Sequence, residues 1–465
     1  MTAPTTASVG ARLDALRWST AHRGILLALG AGWLFDSLEV SLFGSAIGPL
    51  GDHFHASTDQ RNAVLAVWLG GILLGALVGG RLADRFGRRR LFVGTLVWYA
   101  AFTVLTGLAP NLTSVYIFRG LAALGVGAEY AIVNAAIAEF MPARLRGKAN
   151  AAVMQFWPAG AVVAGLLAYF ALNTLDLPNT SSWRYIFGLG GLVALVVLFF
   201  RRRLPESPRW LVSQGRVEEA ETIVTRLEAA AGTTGPPSQG RQVVQETPSF
   251  GAALRELLRD HRGRLALGCV LDLAEAFGYY GIFALLSVVV LAKVNIAQAD
   301  IPFFYIVGNL GALAGGIAMT LIFDRIGHGR TIVLFYSLAA GGVALLAGAT
   351  ATGSAVTVTL AFVLSNALAT GAWTAAYPTF TELFPTHLRG AGVGLSVAVG
   401  RIGAIVGVFA LPDLAQSAGA TASYLLVIAF WLVGVVAMVI YQARGGADAA
   451  GRSLEDITAP ELINA

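Results

Sequence analysis

Two acids three residues apart, Asp36 and Glu39, stand inside an otherwise apolar run from about Gly24 to Leu50. The pattern returns 236 residues later: Gly32-Trp-Leu-Phe-Asp36-Ser-Leu-Glu39 is echoed by Gly268-Cys-Val-Leu-Asp272-Leu-Ala-Glu275. Residues i and i+3 share one face of a helix, so each pair forms two neighbouring carboxylates. In a low-dielectric site two such groups rarely ionise together, and one keeps a proton near neutral pH. That is the chemistry of a proton carrier, provided the site is exposed to each side of a membrane in turn.

Three more charges lie inside apolar runs: Arg119, Glu129 and Arg401. A helix rises ~1.5 Å per residue, which puts Asp36 ~18 Å past Gly24 and Arg401 ~18 Å past Arg389, both near the middle of a bilayer. The same rise puts Glu129 ~15 Å from Glu139. Charges at that depth are costly and mark ion or substrate pathways. Arg119 is expected to pair with a first-span acid, Glu39 above all. Such a pair forms on deprotonation and breaks on protonation, or else holds two helices together. Glu129 is open to two readings, a second proton site or a partner for Arg401. Asp272 and Glu275 serve substrate, serve a proton, or are a vestigial copy. Arg401 suits a carboxylate or phosphate on the substrate, or neutralises Glu129 or Asp272.

The elements that must position these residues follow from composition. The chain has 465 residues, of which 56% are hydrophobic and only 13% charged, and its mean hydropathy is +0.68. A soluble protein carries roughly a quarter charged residues. Twelve apolar runs are long enough to span a bilayer. They lie at about 24–50, 63–83, 91–109, 113–138, 148–172 and 184–202, then 263–291, 300–323, 331–349, 354–380, 389–411 and 420–442. Lys and Arg collect in alternate loops, while 110–113, 173–183, 350–353 and 412–419 hold none. The positive-inside rule then places both termini in the cytoplasm, and the first span doubles as the targeting signal. The net charge of +5 therefore orients the chain in a membrane and implies no nucleic-acid partner. The single Cys269 excludes an internal disulfide. No metal cluster, nucleophile–base set or nucleotide loop is present in the sequence, so no enzyme activity and no cofactor are expected.

Residues 203–262 interrupt the series. Leu204-Pro-Glu-Ser-Pro-Arg-Trp-Leu211 stops one helix and starts another. Val217, Ala220, Ile223, Val224 and Leu227 then recur at helical spacing, and 232–248 reads as a linker before a short helix around Phe250–Asp260. The expected organisation is a tail (1–23), a six-helix half (24–202), a cytoplasmic loop (203–262), a second six-helix half (263–442) and a C-terminal tail (443–465). Two further landmarks recur in register. Glu139-Phe-Met-Pro-Ala-Arg-Leu-Arg146-Gly matches Glu382-Leu-Phe-Pro-Thr-His-Leu-Arg389-Gly, and Asp84-Arg85-Phe-Gly87 matches Asp324-Arg325-Ile-Gly327. Two halves of the same sense in the membrane are the economical explanation.

Gly80-Arg-Leu-Ala-Asp84-Arg85-Phe-Gly87-Arg88-Arg89-Arg90 resembles the loop motif of the major facilitator superfamily. Arg119-Gly-x-x-x-Gly125-x-Gly127, the Pro205-Glu206-Ser207-Pro208-Arg209 loop and both E-x-x-P-x-x-L-R-G segments resemble its sugar-porter-like branch. The resemblance implies an all-α membrane fold of twelve helices in two pseudo-symmetric halves. The first-span D-x-x-E is similar to the D-x-x-D of proton-coupled aromatic-acid, phosphate and other metabolite symporters. Where sugar porters carry Q-Q-x-x-G-x-N, this chain has Asp272-Leu-Ala-Glu275-Ala-Phe-Gly278, and Tyr377 stands where they carry a Trp. The resemblance further implies a gating latch of Asp84, Arg85, Arg88 and Arg89, of Glu139 with Arg146, and of Asp324, Arg325, Glu382 and Arg389 in the second half.

Gln155, Trp157, Tyr279, Tyr280, Phe283, Trp373 and Tyr377 are candidates to line a central cavity, Tyr280 and Tyr377 first among them. Aromatic residues are also common as membrane-helix packing. The glycine series Gly71/Gly75/Gly79, Gly311/Gly315 and Gly403/Gly407 reads as close helix packing. The expected function is proton-coupled symport of a small polar, anionic organic metabolite by alternating access. A sugar or organic-cation carrier and a transporter-like sensor are the alternatives. The expected partners are the substrate, protons and the lipid bilayer, for a monomeric multi-pass protein of the cell membrane.

Overall fold

The computed structural model describes residues 9–173, 182–202, 204–232, 249–286, 301–385 and 388–446. Twelve helices in it are long and apolar enough to cross a membrane, and the described residues contain no strand. In order they are Thr20–His53, Thr58–Phe86, Arg88–Gly107, Leu112–Phe140, a broken fifth span of Arg146–Met154 and Phe156–Asn173, and Ser182–Arg201. The second six are Arg262–Leu285, Ile301–Ile326, His328–Thr352, Ala355–Glu382, Arg389–Ser417 and Ala420–Ala443. These bounds agree with the apolar runs to within about six residues, the largest differences being the start of the second span at Thr58 and the end of the eleventh at Ser417. The part of the seventh run beyond residue 286, the linker 233–248 and the tail from 447 lie outside the described residues.

Local chemistry explains the ends. Ser57 opens the second span with a capping box: its hydroxyl accepts from Gln60 N (3.3 Å) and its N–H donates to Gln60 Oε1 (2.9 Å). Asn111 caps the fourth span by accepting from Ser114 N at 2.9 Å. The fifth span breaks at Gln155 because Pro158 lacks an N–H and crowds the carbonyl four residues back. Between the second and third spans the chain turns on Gly87 at φ +93°, and between the eighth and ninth on Gly327 at φ +86°. Both are the final glycine of D-R-x-G, so the repeated motif has a backbone reason: only glycine takes that φ without strain.

The six spans of each half pack mainly on one another, and the two halves repeat the same contacts. The glycine series lie at these helix contacts. Cβ atoms at Gly75 and Gly79 would strike Leu124 and Ala128 of the fourth span. Gly311 and Gly315 stand likewise against Val363 and Ala367 of the tenth, and Gly403 and Gly407 against Leu273 and Phe277 of the seventh. Lipid offers no hydrophobic drive between helices, so close approach over small residues supplies the attraction. A Cβ at Gly127 would lie 2.1 Å from the Ile72 carbonyl. Gly127→Val is therefore expected to lower stability by about 1–3 kcal/mol or more, read as a fall in the thermal midpoint of purified protein.

The outer surface bears exposed Leu74, Val78, Leu192, Leu195, Leu360 and Val436, an apolar belt suited to lipid. The end that carries the Arg-rich connections, here called the basic end, also carries the short helices Val9–Ala15, Pro208–Ser213 and Val217–Ala231. Arg12 bonds Glu228 (2.7 Å), and Arg209 bonds Asp14 (3.0 Å), tying these helices into one cap under the first half. Between the halves, the second and eleventh spans close over Gly80 against Gly390, and over Gly394 against Ala76. The eighth span closes on the fifth at Gly316 and Gln155.

Candidate functional site

In the first half, the first-span face carrying Trp33, Asp36 and Glu39 turns inward. Glu39 takes the Arg119 guanidinium through both oxygens, one contact short and the other at 3.4 Å, and accepts a third bond from the Thr103 hydroxyl at 3.2 Å. Both members of this pair are fully buried. Phe43, Trp68 and Phe187 surround the guanidinium, with ring centroids 4.5–5.9 Å away. The pairing expected between Glu39 and Arg119 is thus present in the structure.

Of the two readings of Glu129, the structure corrects the pairing with Arg401. It pairs with Arg201 at the end of the sixth span, by one contact of 2.8 Å and one shorter, and not with Arg401. Arg201 also donates to the Phe92 carbonyl (2.9 Å) and the Tyr99 hydroxyl (3.2 Å) and lies 4.1 Å over the Phe92 ring. Arg201 opens a run of three arginines and reads as a topological charge at a helix end. Helical phase instead turns it inward while Arg202 faces out. Asp36 lies between the two ion pairs, with Glu129, Arg201, Tyr99 and Glu39 around it. Its Oδ1 is buried and has no hydrogen-bond partner. Three acids thus share two arginines, and Asp36 is the one left over.

In the second half Arg401 is buried, 2% exposed. It donates to the hydroxyls of Tyr280 (3.0 Å) and Tyr377 (3.3 Å). Its Cζ lies 5.5 Å from the Tyr130 ring and 5.3 Å from the Tyr280 ring. Among the described residues no carboxylate forms an ion pair with it. Asp272 and Glu275 are buried one turn apart on the seventh span, and Asp272 presses against the backbone at Gly400. The site residues of the second half are therefore one arginine, two acids and two tyrosines.

Between these clusters stands an aromatic box built from both halves. Trp33 contacts Tyr130 (4.8 Å between ring centroids), Trp157 (5.6 Å), Trp373 (5.5 Å) and Tyr377 (6.0 Å). Trp157 and Trp373 close it at 5.6 Å, and Tyr279 abuts Trp373 at 6.1 Å. Trp157, Tyr279, Trp373 and Tyr377 were expected here; Trp33 and Tyr130 were not. A signal for Trp33 existed, since it sits three residues before Asp36 on the same face. Phe283 lies further out, stacked on Tyr305 and edge-on to Phe362. Gln155, at the break of the fifth span, donates to the Ala151 carbonyl (2.9 Å) and to Thr374 of the other half (3.3 Å). It is a seam residue between halves, beside the box.

At the basic end the expected latch is rewired. Glu139 accepts from Arg88 (2.8 and 3.1 Å), and Arg88 also donates to the Ala83 carbonyl. Arg146 reaches across the halves to Glu382 at 3.3 Å instead of pairing with Glu139. His328 adds to Glu382 at 3.0 Å, a partner that the sequence reading missed. Arg389 donates to the Phe384 carbonyl at 3.4 Å. Arg85 lies over the Phe86 ring and is exposed, as is Arg89, which donates to the Arg202 carbonyl. Arg325 is exposed as well. Glu206 accepts from the N–H groups of Arg88 and Arg89, at 2.8 and 3.1 Å, fixing the start of the third span. The side chains of Asp84 and Asp324 lie outside the described set. Arg146→Gln is expected to loosen the seam between halves, measured as faster labelling of a cysteine introduced at Gly390.

The chain matches the model of the Sugar (and other) transporter family over residues 31–459. The niacin transporter NiaP of Acinetobacter baylyi is 28% identical over 459 residues, covering 96% of this chain and 98% of that protein. A probable 4-methylmuconolactone transporter of Cupriavidus pinatubonensis is 28% identical over 419 residues, covering 89% of each chain. Among solved structures, the proton:xylose symporter XylE bound to 6-bromo-6-deoxy-D-glucose superposes with a TM-score of 0.77 at 20% identity. That alignment covers 95% of this chain and 99% of that one and shows the shared fold. With twelve spans in two repeated halves and buried charges converging between them, the chain is a membrane transporter of the major facilitator fold and belongs to the Sugar (and other) transporter family.

Proposed function

We infer that this transporter carries a small planar carboxylate together with protons. The observation that carries the reading is Arg401: a buried guanidinium without an ion-pair partner among the described residues, held by two tyrosine hydroxyls at the edge of an aromatic box. A guanidinium recognises a carboxylate through two parallel bonds, and stacked Trp and Tyr faces suit a flat ring. Niacin, for which one relative is named, is an aromatic ring bearing one carboxylate, and the box has those two features.

Proton coupling is assigned to the first-span site. Arg119 and Arg201 are matched by Glu39 and Glu129, so Asp36 holds the proton in this conformation. When the site opens and Asp36 ionises, it competes for Arg201 or Arg119 and loosens the pair that it displaces. The positive-inside bias places the basic end in the cytoplasm, so this conformation is closed toward the cytoplasm by the Gly80/Gly390 contact and the Arg146–Glu382 pair. In that membrane setting the chain works as a monomer, its two six-span halves joined by residues 203–262 and rocking about the box.

The test is uptake of radiolabelled nicotinate into proteoliposomes. An acid exterior is expected to drive accumulation, at most about tenfold per pH unit for each coupled proton, and a protonophore to abolish it. Uptake indifferent to both treatments removes proton coupling. A thermal-shift screen in which sugars or amines stabilise the protein and carboxylates do not removes the substrate class.

A further inference from the structure

We propose that Asp272 and Glu275 form a second proton site, at which one proton enters with the substrate carboxylate because both depend on Arg401. The inference rests on the carboxylate reading of Arg401 given above. Asp272 is fully buried, and neither of its carboxylate oxygens has a hydrogen-bond partner; Glu275 is 1% exposed, and its Oε2 has none. An unsatisfied neutral carboxyl forfeits a hydrogen bond, whereas an uncompensated buried ion forfeits its whole hydration. Protonation is the smaller cost. The charged and titratable groups facing the pair are few. Among the described residues they are Arg401 from the eleventh span, Tyr377 from the tenth, Tyr336 from the ninth, and Tyr279, Tyr280 and Cys269 from the seventh itself. The twelfth span presents the uncharged Trp431 against Gly278. Arg401 is the only cation in this set.

Charge balance then fixes the sequence of events. Without substrate, Arg401 is balanced by one negative charge on the acid pair, which holds one proton. A substrate carboxylate arriving at Arg401 adds a second negative charge and displaces the acid pair as the countercharge. The pair takes one proton from water on the open side, both acids become neutral, and the site returns to zero net charge. Release reverses each step. With the first-span proton, each monocarboxylate crosses with two protons and one net positive charge.

Two measurements on purified full-length protein test this. Infrared spectra at neutral pH without ligand are expected to show a protonated-carboxyl band in Asp36→Asn protein, weakened or lost when Glu275→Gln or Asp272→Asn is added. Nicotinate titrated calorimetrically in buffers of different ionisation enthalpy is expected to take up about one proton at this site in wild type and none in the Asp272→Asn/Glu275→Gln double variant, which keeps no acid to receive it. A carboxyl band that neither added substitution changes overturns the second site. Equal proton uptake in wild type and the double variant overturns its coupling to the substrate. If wild type does not bind nicotinate, the substrate reading fails while the infrared result still decides the proton site. Should Asp272→Asn fail to fold, Asp272→Ser replaces it in both measurements, and Glu275→Gln alone serves in the infrared one.

Discussion

Arg401→Gln is expected to weaken nicotinate binding by about a hundredfold, while uptake of an uncharged analogue such as nicotinamide changes little. Truncating one partner of a buried charge-assisted contact costs about 2–5 kcal/mol, and a hundredfold is the lower part of that range. Glutamine keeps a donor for one tyrosine hydroxyl, so Tyr280 and Tyr377 are not both stranded. Arg401→Lys separates charge from geometry: the ammonium restores the sign but not the two parallel donors, and should recover only part of the affinity. The readout is the Kd from calorimetry beside the thermal midpoint without ligand. If nicotinate and nicotinamide lose affinity equally, Arg401 organises the box and does not read the carboxylate.

Asp36→Asn is expected to lower the accumulation ratio by about tenfold for each pH unit of imposed gradient, since one coupled proton is worth 1.36 kcal/mol per unit. Exchange of labelled for unlabelled nicotinate should continue, because asparagine stands for the protonated acid. Glu39→Gln behaves differently. It strands Arg119 among Phe43, Trp68 and Phe187, and breaking a buried pair from one side costs about 3–5 kcal/mol. Its first effect should be on the thermal midpoint, with Arg119→Gln on top recovering part of the loss. If Asp36→Asn still accumulates as wild type does, the proton rides on Glu39 or Glu129 instead.

What could be read from the sequence was what repeats or what costs energy at a fixed depth. The twelve spans, the two halves and the Glu39–Arg119 pair were legible because helical rise alone sets their positions along the membrane normal. Rotation about the helix axis was not. Arg201 was hidden in its triplet because one residue of phase decides between solvent and core. The resemblance implied that Arg146 pairs with Glu139 in its own half; which partner it finds depends on how the halves are tilted, and it reaches Glu382. The box was half-legible for the same reason. Trp157, Tyr279, Trp373 and Tyr377 could be placed by depth, but the meeting of Trp33 with Trp373 requires a relation between halves that no single span encodes.

That meeting has a pharmacological meaning. Trp33 and Tyr130 come from one half, Trp373 and Tyr377 from the other, so the walls touch only when the halves have rocked together. A flat acid that fits between them gains its full contact on closure and is carried. An acid with a bulky substituent on the ring still reaches Arg401 but props the walls apart. Such a compound is held tightly and not translocated, a competitive blocker that fixes the transporter with its mouth open. Ring thickness, more than acidity, should thus separate cargo from inhibitor.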